Sequence, residues 1–280
     1  MKEYKSFLKT VKGNEGSKCK YPTRLDVYGC GCQHDCKYCY AKSLLEFRGL
    51  WNPQEPSVAD LEKVKRAVEK IEPGTVVRLG GMTDCFQPIE EEMEMTLLTI
   101  RELNKRGIHY LIVTKSDRVS GKQYIKEMRK DLAHIQVTVT CTDDIKYKMY
   151  NYEGGALPSK RIMAIEKLND EGFDVQLRLS PFIPEFIDYD VLSGVRCDKI
   201  LVEFLRVNSW IKKWFGLDFS EYTLKHGGYQ HLPLEKKLEY IKNIVGFKEI
   251  SVCDDEDDAY EYWKYNFNPN KNDCCNLRMT

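Results

Sequence analysis

No stretch of this 280-residue chain approaches the roughly 20 apolar residues that span a bilayer. The N-terminal MKEYKSFLKTVKGNEGSK lacks the apolar core of a secretion signal. These two absences speak against a membrane or exported protein, so a cytoplasmic location with no membrane partner is expected. A surplus of one charge is missing as well, because 43 Lys and Arg face 43 Asp and Glu. That argues against loose, charge-driven binding to nucleic acid, though not against a local basic groove. The first 24 residues, with seven Lys or Arg against two Glu, are the basic segment that such a groove would draw on.

Cysteine is what the chain does have. Eleven of them, an odd number and clustered, point to metal binding or reactivity rather than to disulfides in a reducing compartment. The stretch GCGCQHDCKYCYAK, residues 29–42, holds four of them. Cys32, Cys36 and Cys39 stand at the spacing C-x3-C-x2-C. A structural zinc site normally closes with four ligands, often as two separated pairs. Here three sulfurs arrive on one short loop, and Cys30 is too near Cys32 to join them easily. A cubane iron–sulfur cluster suits thiolates, and three ligands leave one iron open to a substrate or cofactor.

Along the rest of the chain one pattern recurs: an amphipathic stretch, a glycine, then an apolar β-type run. KRAVEKIEPG precedes TVVRLGG, IRELNKRG precedes IHYLIVT, AIEKLNDEG precedes FDVQLRLS, and EYIKNIVG precedes FKEISVC. Gly74, Gly107, Gly172 and Gly246 sit where helix C-caps belong. Leu61, Val64, Val68 and Ile71 share one helical face, with Ser57 a candidate N-cap. Six strands run from RLDVYG to DKILVEFL, with a further candidate at KEISVC. Alternating βα units imply an α/β fold with a parallel sheet, barrel-like or doubly wound, and in both ligands gather at the C-terminal strand ends. The cysteine loop, GGMTDCFQP, Lys115, Thr138, Thr140, Arg178 and Ser180 all follow or end strands. One shared site is therefore expected.

GCQHDCKYCYAK, TDCFQPIE, VTKSDRV and LPSKRIMAIEKLNDEGFDVQLRLSPFIPE resemble the radical S-adenosylmethionine (SAM) superfamily, and within it the spore photoproduct lyase-like branch, also described as DNA repair photolyase-like. The resemblance covers roughly residues 25–205 and implies a partial (β/α)6 TIM-type barrel with parallel strands. It implies a [4Fe-4S] cluster on Cys32, Cys36 and Cys39, whose open iron chelates SAM. Reductive cleavage then gives a 5′-deoxyadenosyl radical that abstracts hydrogen from substrate. An external reductant such as flavodoxin or ferredoxin is implied too. Tyr38 and Tyr40 match tyrosines that contact SAM in this branch, although packing in the loop is their plainer role. Thr83 and Asp84, in GGMTD where the superfamily carries Gly-Gly-Glu, are expected near the methionine ammonium. Lys115 suits the methionine carboxylate. Thr138 or Thr140 suits the ribose, and Arg178 and Ser180 are carried over from the fifth-strand position, while Arg161 reads equally as a helix-surface residue. Cys85 is a candidate hydrogen-atom donor and equally a small buried hydrophobe. It follows Thr83–Asp84 where the branch places its cysteine earlier, and Met82 stands there instead.

The expected organisation is a basic segment over 1–24, a core over 25–205 and a C-terminal extension over 206–280 packed on the core. In that extension His226, Tyr229, His231, Trp210 and Trp214 read as stacking residues or as a small core of their own, and DDEDD at 254–258 as a solvated helix start. Cys274 and Cys275, with Cys19, Cys30 and Cys253, raise an auxiliary cluster, but no known spacing supports it and adjacent cysteines chelate one iron poorly. The expected substrate is a nucleic acid or nucleotide, on resemblance alone. A peptide or small metabolite is the alternative, and an iron–sulfur electron carrier a further one.

Overall fold

The computed structural model describes residues 2–279, apart from the side chains of Asn14 and Glu15. Eight strands form the main sheet: β1 (Leu8–Thr10), β2 (Thr23–Leu25), β3 (Val76–Leu79), β4 (His109–Thr114), β5 (Ala133–Thr138), β6 (Asp174–Phe182), β7 (Lys199–Phe204) and β8 (Glu249–Val252). Their order across the sheet is their order in the chain. β1 pairs antiparallel with β2, and every other neighbour pair is parallel.

This order resolves what periodicity left open. A doubly wound sheet reverses its strand order at a switch point. Here the order never reverses, so each crossover turns the same way and the sheet curls as a barrel does. The edges β1 and β8 do not meet, so the barrel is partial. β2 to β7 are the six strands expected from the sequence and β8 is the further candidate, while β1 has no counterpart among the expected strands.

The crossovers carry helices because their sequences have helical periodicity and sound caps. α1 (Tyr40–Phe47) and α2 (Leu61–Val68) lie between β2 and β3. α3 (Met95–Arg106) precedes β4, and α4 (Pro158–Asp170) precedes β6. α2 buries Val64 and Val68. Its N-cap is Asp60, which accepts from the Lys63 N–H at 2.9 Å, not Ser57, which lies in a two-residue strand. A carboxylate at the cap also meets the helix dipole favourably. Gly107 caps α3 at φ +63°, as expected of a glycine C-cap.

All six residues of β5 are buried, as a strand covered on both faces requires. Fully buried Leu79, Ile112, Ile135, Leu177 and Val202 extend the core along the sheet. After β7 the chain forms a small hairpin, 224–226 with 229–231, and α5 (Leu234–Ile241). α6 (Asp257–Asn266) follows β8 and is capped by Glu256, so the acidic run does start a helix. No helix among the described residues is long and apolar enough to cross a membrane.

Candidate active site

The C-terminal strand ends surround one cavity. Lining it are Cys32, Cys36 and Cys39, together with Tyr38, Tyr40, Thr83, Asp84, Lys115, Thr138, Arg178 and Ser180. Thr140 and Cys85 do not line it. The Thr140 hydroxyl turns away, to Glu153 Oε1 at 3.0 Å and the Tyr152 hydroxyl at 3.1 Å. β5 ends at Thr138, and Thr140 stands on a bend beyond it, so the two threonines do not share a strand face. Cys85 packs into the hydrophobic core at 3 % exposure, and Met82 reaches the cavity.

Several anchors hold the cysteine loop. Gln33 accepts from the Ile89 N–H at 2.6 Å, and its own N–H donates to Gln87 Oε1 at 2.8 Å. Asp35 takes a positive φ of 39°, and its N–H closes a turn onto the Cys32 carbonyl at 3.0 Å. Asp tolerates that conformation better than most residues. Cys39 is the N-cap of α1 and accepts from the Lys42 N–H at 3.4 Å. The Cys36 thiol lies 3.8 Å from Glu153 Oε2. Glu153 is itself paired with Arg161 at 2.5 Å, both side chains fully buried. Arg161 is therefore an interior residue, not one of the helix surface. It also reaches the carbonyls of Thr138 and Ala156, which ties α4 to β5 behind the loop.

Burial pushes all three thiols up, Cys32 to about 12. Without a ligand they are protonated, and a metal binding there displaces protons.

The GGMTD loop is fixed from below. Asp26, buried beneath it, accepts the N–H groups of Gly81 at 2.6 Å and Met82 at 3.1 Å. Gly80 has φ +86°, and a Cβ there would stand 2.2 Å from the Val113 carbonyl oxygen. A Cβ on Gly81 would strike the Arg24 side chain at 2.4 Å. The two glycines thus answer to close approach on both sides. The Tyr40 hydroxyl donates to the Gly81 carbonyl at 2.9 Å, joining α1 to this loop.

Thr83 donates its hydroxyl to the Tyr28 carbonyl at 2.7 Å. Asp84 accepts from the Thr114 hydroxyl at 2.7 Å, the Lys115 N–H at 2.7 Å and the Phe86 N–H at 2.8 Å. His34 Nε2 stands 3.3 Å from it, off the line of a hydrogen bond. Burial alone would raise the Asp84 carboxyl, but His34 and the donors around it hold it well below the usual range. A carboxylate offers about four acceptor positions, and these neighbours occupy most of them. Asp84 therefore links three strand-end segments more than it offers itself to a ligand.

Lys115 is different. Its ammonium lies 5.7 Å from the centre of the Tyr38 ring, and it lines the cavity with no hydrogen bond or ion pair to a described residue. Half-buried lysines seldom go without an anion. The Tyr38 hydroxyl is buried and likewise lacks a hydrogen-bond partner among the described residues. Three thiols, a cation and a hydroxyl without a hydrogen-bond partner around one cavity fit a thiolate-ligated cluster and a small zwitterionic ligand beside it.

Arg178 and Ser180 both bond Glu203 Oε2, at 2.5 and 2.7 Å. Burial acts to raise Glu203, but Arg178 and Arg206 outweigh it and hold the carboxyl at about 2. Glu203, Arg206 and Asp26 escaped sequence reasoning. Each lies in an ordinary strand or loop context, and only the fold makes it a neighbour of the site.

The family model described as the radical SAM superfamily matches residues 27–190. A protein of Methanocaldococcus jannaschii, itself named as uncharacterised, is 30 % identical over 178 residues, 59 % of this chain and 62 % of its own length. The match thus spans less than two thirds of that relative. Among solved structures, spore photoproduct lyase complexed with a dinucleoside spore photoproduct superposes with TM-score 0.62 at 17 % identity, over 88 % of this chain and 79 % of the other. A variant of that lyase with bound AdoMet and the dinucleoside superposes with TM-score 0.60 over 84 % and 77 %.

Proposed function

From a chain that belongs to the radical SAM superfamily, and is thus an enzyme using a [4Fe-4S] cluster and SAM, we propose the following division of labour and substrate. Cys32, Cys36 and Cys39 hold the cluster. When bound, the cluster and SAM together supply a 5′-deoxyadenosyl radical that removes a hydrogen atom from substrate. Lys115 receives the carboxylate of SAM, and the Tyr38 hydroxyl receives a second polar group. Thr138 serves the ribose. Tyr40, tethered to Gly81, shapes the wall between cluster and substrate. Asp84 positions rather than binds: it holds the Lys115 N–H and the Thr114 hydroxyl at the mouth of β4. Val113, Phe204, Leu205 and Pro181 complete the lining and keep water from a reactive radical.

The substrate is a nucleotide or nucleic acid. Although the chain carries no net charge, six Lys or Arg against four Asp or Glu line the cavity. That local excess suits an anionic substrate, and the lyase with a similar fold is complexed with a dinucleoside. The observation that carries the reading is the meeting, at one set of strand ends, of three cysteines and a cation with no counter-ion among the described residues.

The test is anaerobic reconstitution with iron and sulfide, reduction with dithionite, and mass spectrometry for 5′-deoxyadenosine. Product that vanishes in Cys36→Ala supports the chemistry. Transfer of deuterium from labelled oligonucleotides or nucleotides into 5′-deoxyadenosine supports the substrate class, and transfer from labelled peptides alone refutes it.

A further inference from the structure

Four cysteines that the proposed function does not use meet on the wall of the same cavity: Cys19, Cys253, Cys274 and Cys275. They come from segments far apart in the chain. Cys19 lies just before β2. Cys253 follows β8, its N–H bonded to the Val202 carbonyl at 2.9 Å. Cys274 and Cys275 lie in the C-terminal loop. All four are free thiols. Cys275 is buried in a small apolar cluster with Tyr21, Val76, Leu111 and Leu201, and Cys19, Cys253 and Cys274 pack against that same cluster.

The convergence is built rather than incidental. The Tyr21 hydroxyl donates to Asp273 Oδ2 at 2.5 Å inside the protein. Asp273 also accepts the N–H groups of Cys275 at 2.9 Å and Leu277 at 3.1 Å. One buried carboxylate thereby pins the loop that carries Cys274 and Cys275 to the segment that carries Cys19. Arg78 and Arg178 face this group. Arg78 Nε is buried and has no hydrogen-bond partner among the described residues. A buried donor left unpaired is costly, and the sulfide or thiolate of a cluster would accept from it.

We propose that Cys19, Cys253, Cys274 and Cys275 bind a second iron–sulfur cluster that opens on the substrate cavity. A single zinc ion draws its sulfurs in to about 2.3 Å from one centre. Among the described residues, no three of these thiols lie within 4.8 Å of one another. The same holds for Cys32, Cys36 and Cys39, the set assigned to a cubane. Neither set is gathered as tightly as one zinc ion requires, which suits a cluster over a single ion. Cys274 and Cys275, poorly placed to chelate one iron, can serve two irons of one cluster.

Iron and sulfide counting after anaerobic reconstitution tests this. The wild-type chain should bind about eight irons, two cubanes of four. The Cys32→Ala/Cys36→Ala/Cys39→Ala variant should keep about four irons and an electron paramagnetic resonance signal on reduction. The Cys253→Ala/Cys275→Ala variant should likewise fall to about four. The first of these variants leaves the second site intact, so its iron content reports on that site even if the other variant fails to fold. Retention of no iron in it, or of one zinc per chain, overturns the proposal. The outcome is separate from SAM cleavage, which reports on the first cluster.

Discussion

A half-buried ammonium with no counter-ion among the described residues is the residue-level feature that most constrains this site. Lys115 gains a partner only when an anion enters the cavity, and a charge-assisted bond of that kind contributes about 1.5–3 kcal/mol. Lys115→Ala should therefore weaken SAM binding by about 10- to 100-fold, measured by equilibrium dialysis on the reconstituted protein, with iron content unchanged. Equal affinity in the variant would remove Lys115 from the SAM site. Cys85 is argued the other way. Its thiol is in the core, so Cys85→Ala should cost roughly 1 kcal/mol by loss of packing and leave both the yield of 5′-deoxyadenosine and the final product unchanged. An altered product would return the thiol to the reaction.

At the level of elements, the site depends on tethers between segments that each fold locally. The Glu153–Arg161 pair joins α4, β5 and the loop behind Cys36 with both side chains fully buried. Breaking such a pair costs more than the pair contributes, because one charge is left stranded. Arg161→Met should thus lower stability by about 3–5 kcal/mol, read from urea unfolding, and the double variant Arg161→Met/Glu153→Gln should recover a large part. A loss below about 1 kcal/mol in the single variant would mean that Glu153 finds another partner. The GGMTD loop is held just as tightly. Gly80→Ala combines a positive φ with a Cβ 2.2 Å from a carbonyl oxygen. It should displace the loop and lower SAM affinity together with stability.

For the molecule as a whole, the carboxylates buried along the sheet set the response to acid. Burial pushes Asp174, at the N-terminal end of β6, upward, but His134 and Lys199 outweigh it and hold the carboxyl at about 2. Glu203 sits at about 2. Both folded values lie below those of an unfolded chain, about 3.9 for Asp and about 4.3 for Glu. Their stabilisation is therefore full above about pH 4 and disappears as the pH falls to about 2. Each contributes on the order of 2–3 kcal/mol. The urea midpoint should stay level from about pH 7 to pH 5 and drop below about pH 4. Asp174→Asn should flatten part of that drop, and an unchanged acid slope would show that Asp174 is not among the groups responsible.

What the sequence determined by itself was whatever rests on near neighbours in the chain. The spacing of Cys32, Cys36 and Cys39, the helix–glycine–strand alternation and the acidic start of α6 all depend on bonds or contacts within a few residues. For that reason β2 to β7 were legible, and so was the end of the sheet where ligands gather. Tertiary structure decided the rest. Strand order chose a barrel over a doubly wound sheet, and the antiparallel β1 had no local signal to announce it. The end of β5 at Thr138 left Thr140 on a bend behind the cavity, and the course of the loop after β3 put Cys85 in the core while Met82 reached the cavity. Asp26 and Glu203 became parts of the site only because β2 and β7 end beside it. Cys19, Cys253, Cys274 and Cys275 came together only because the curled sheet brings the segment before β2, the end of β8 and the C-terminal loop to one cavity. No spacing rule spans such distances, since contacts between remote segments depend on how the whole sheet curls.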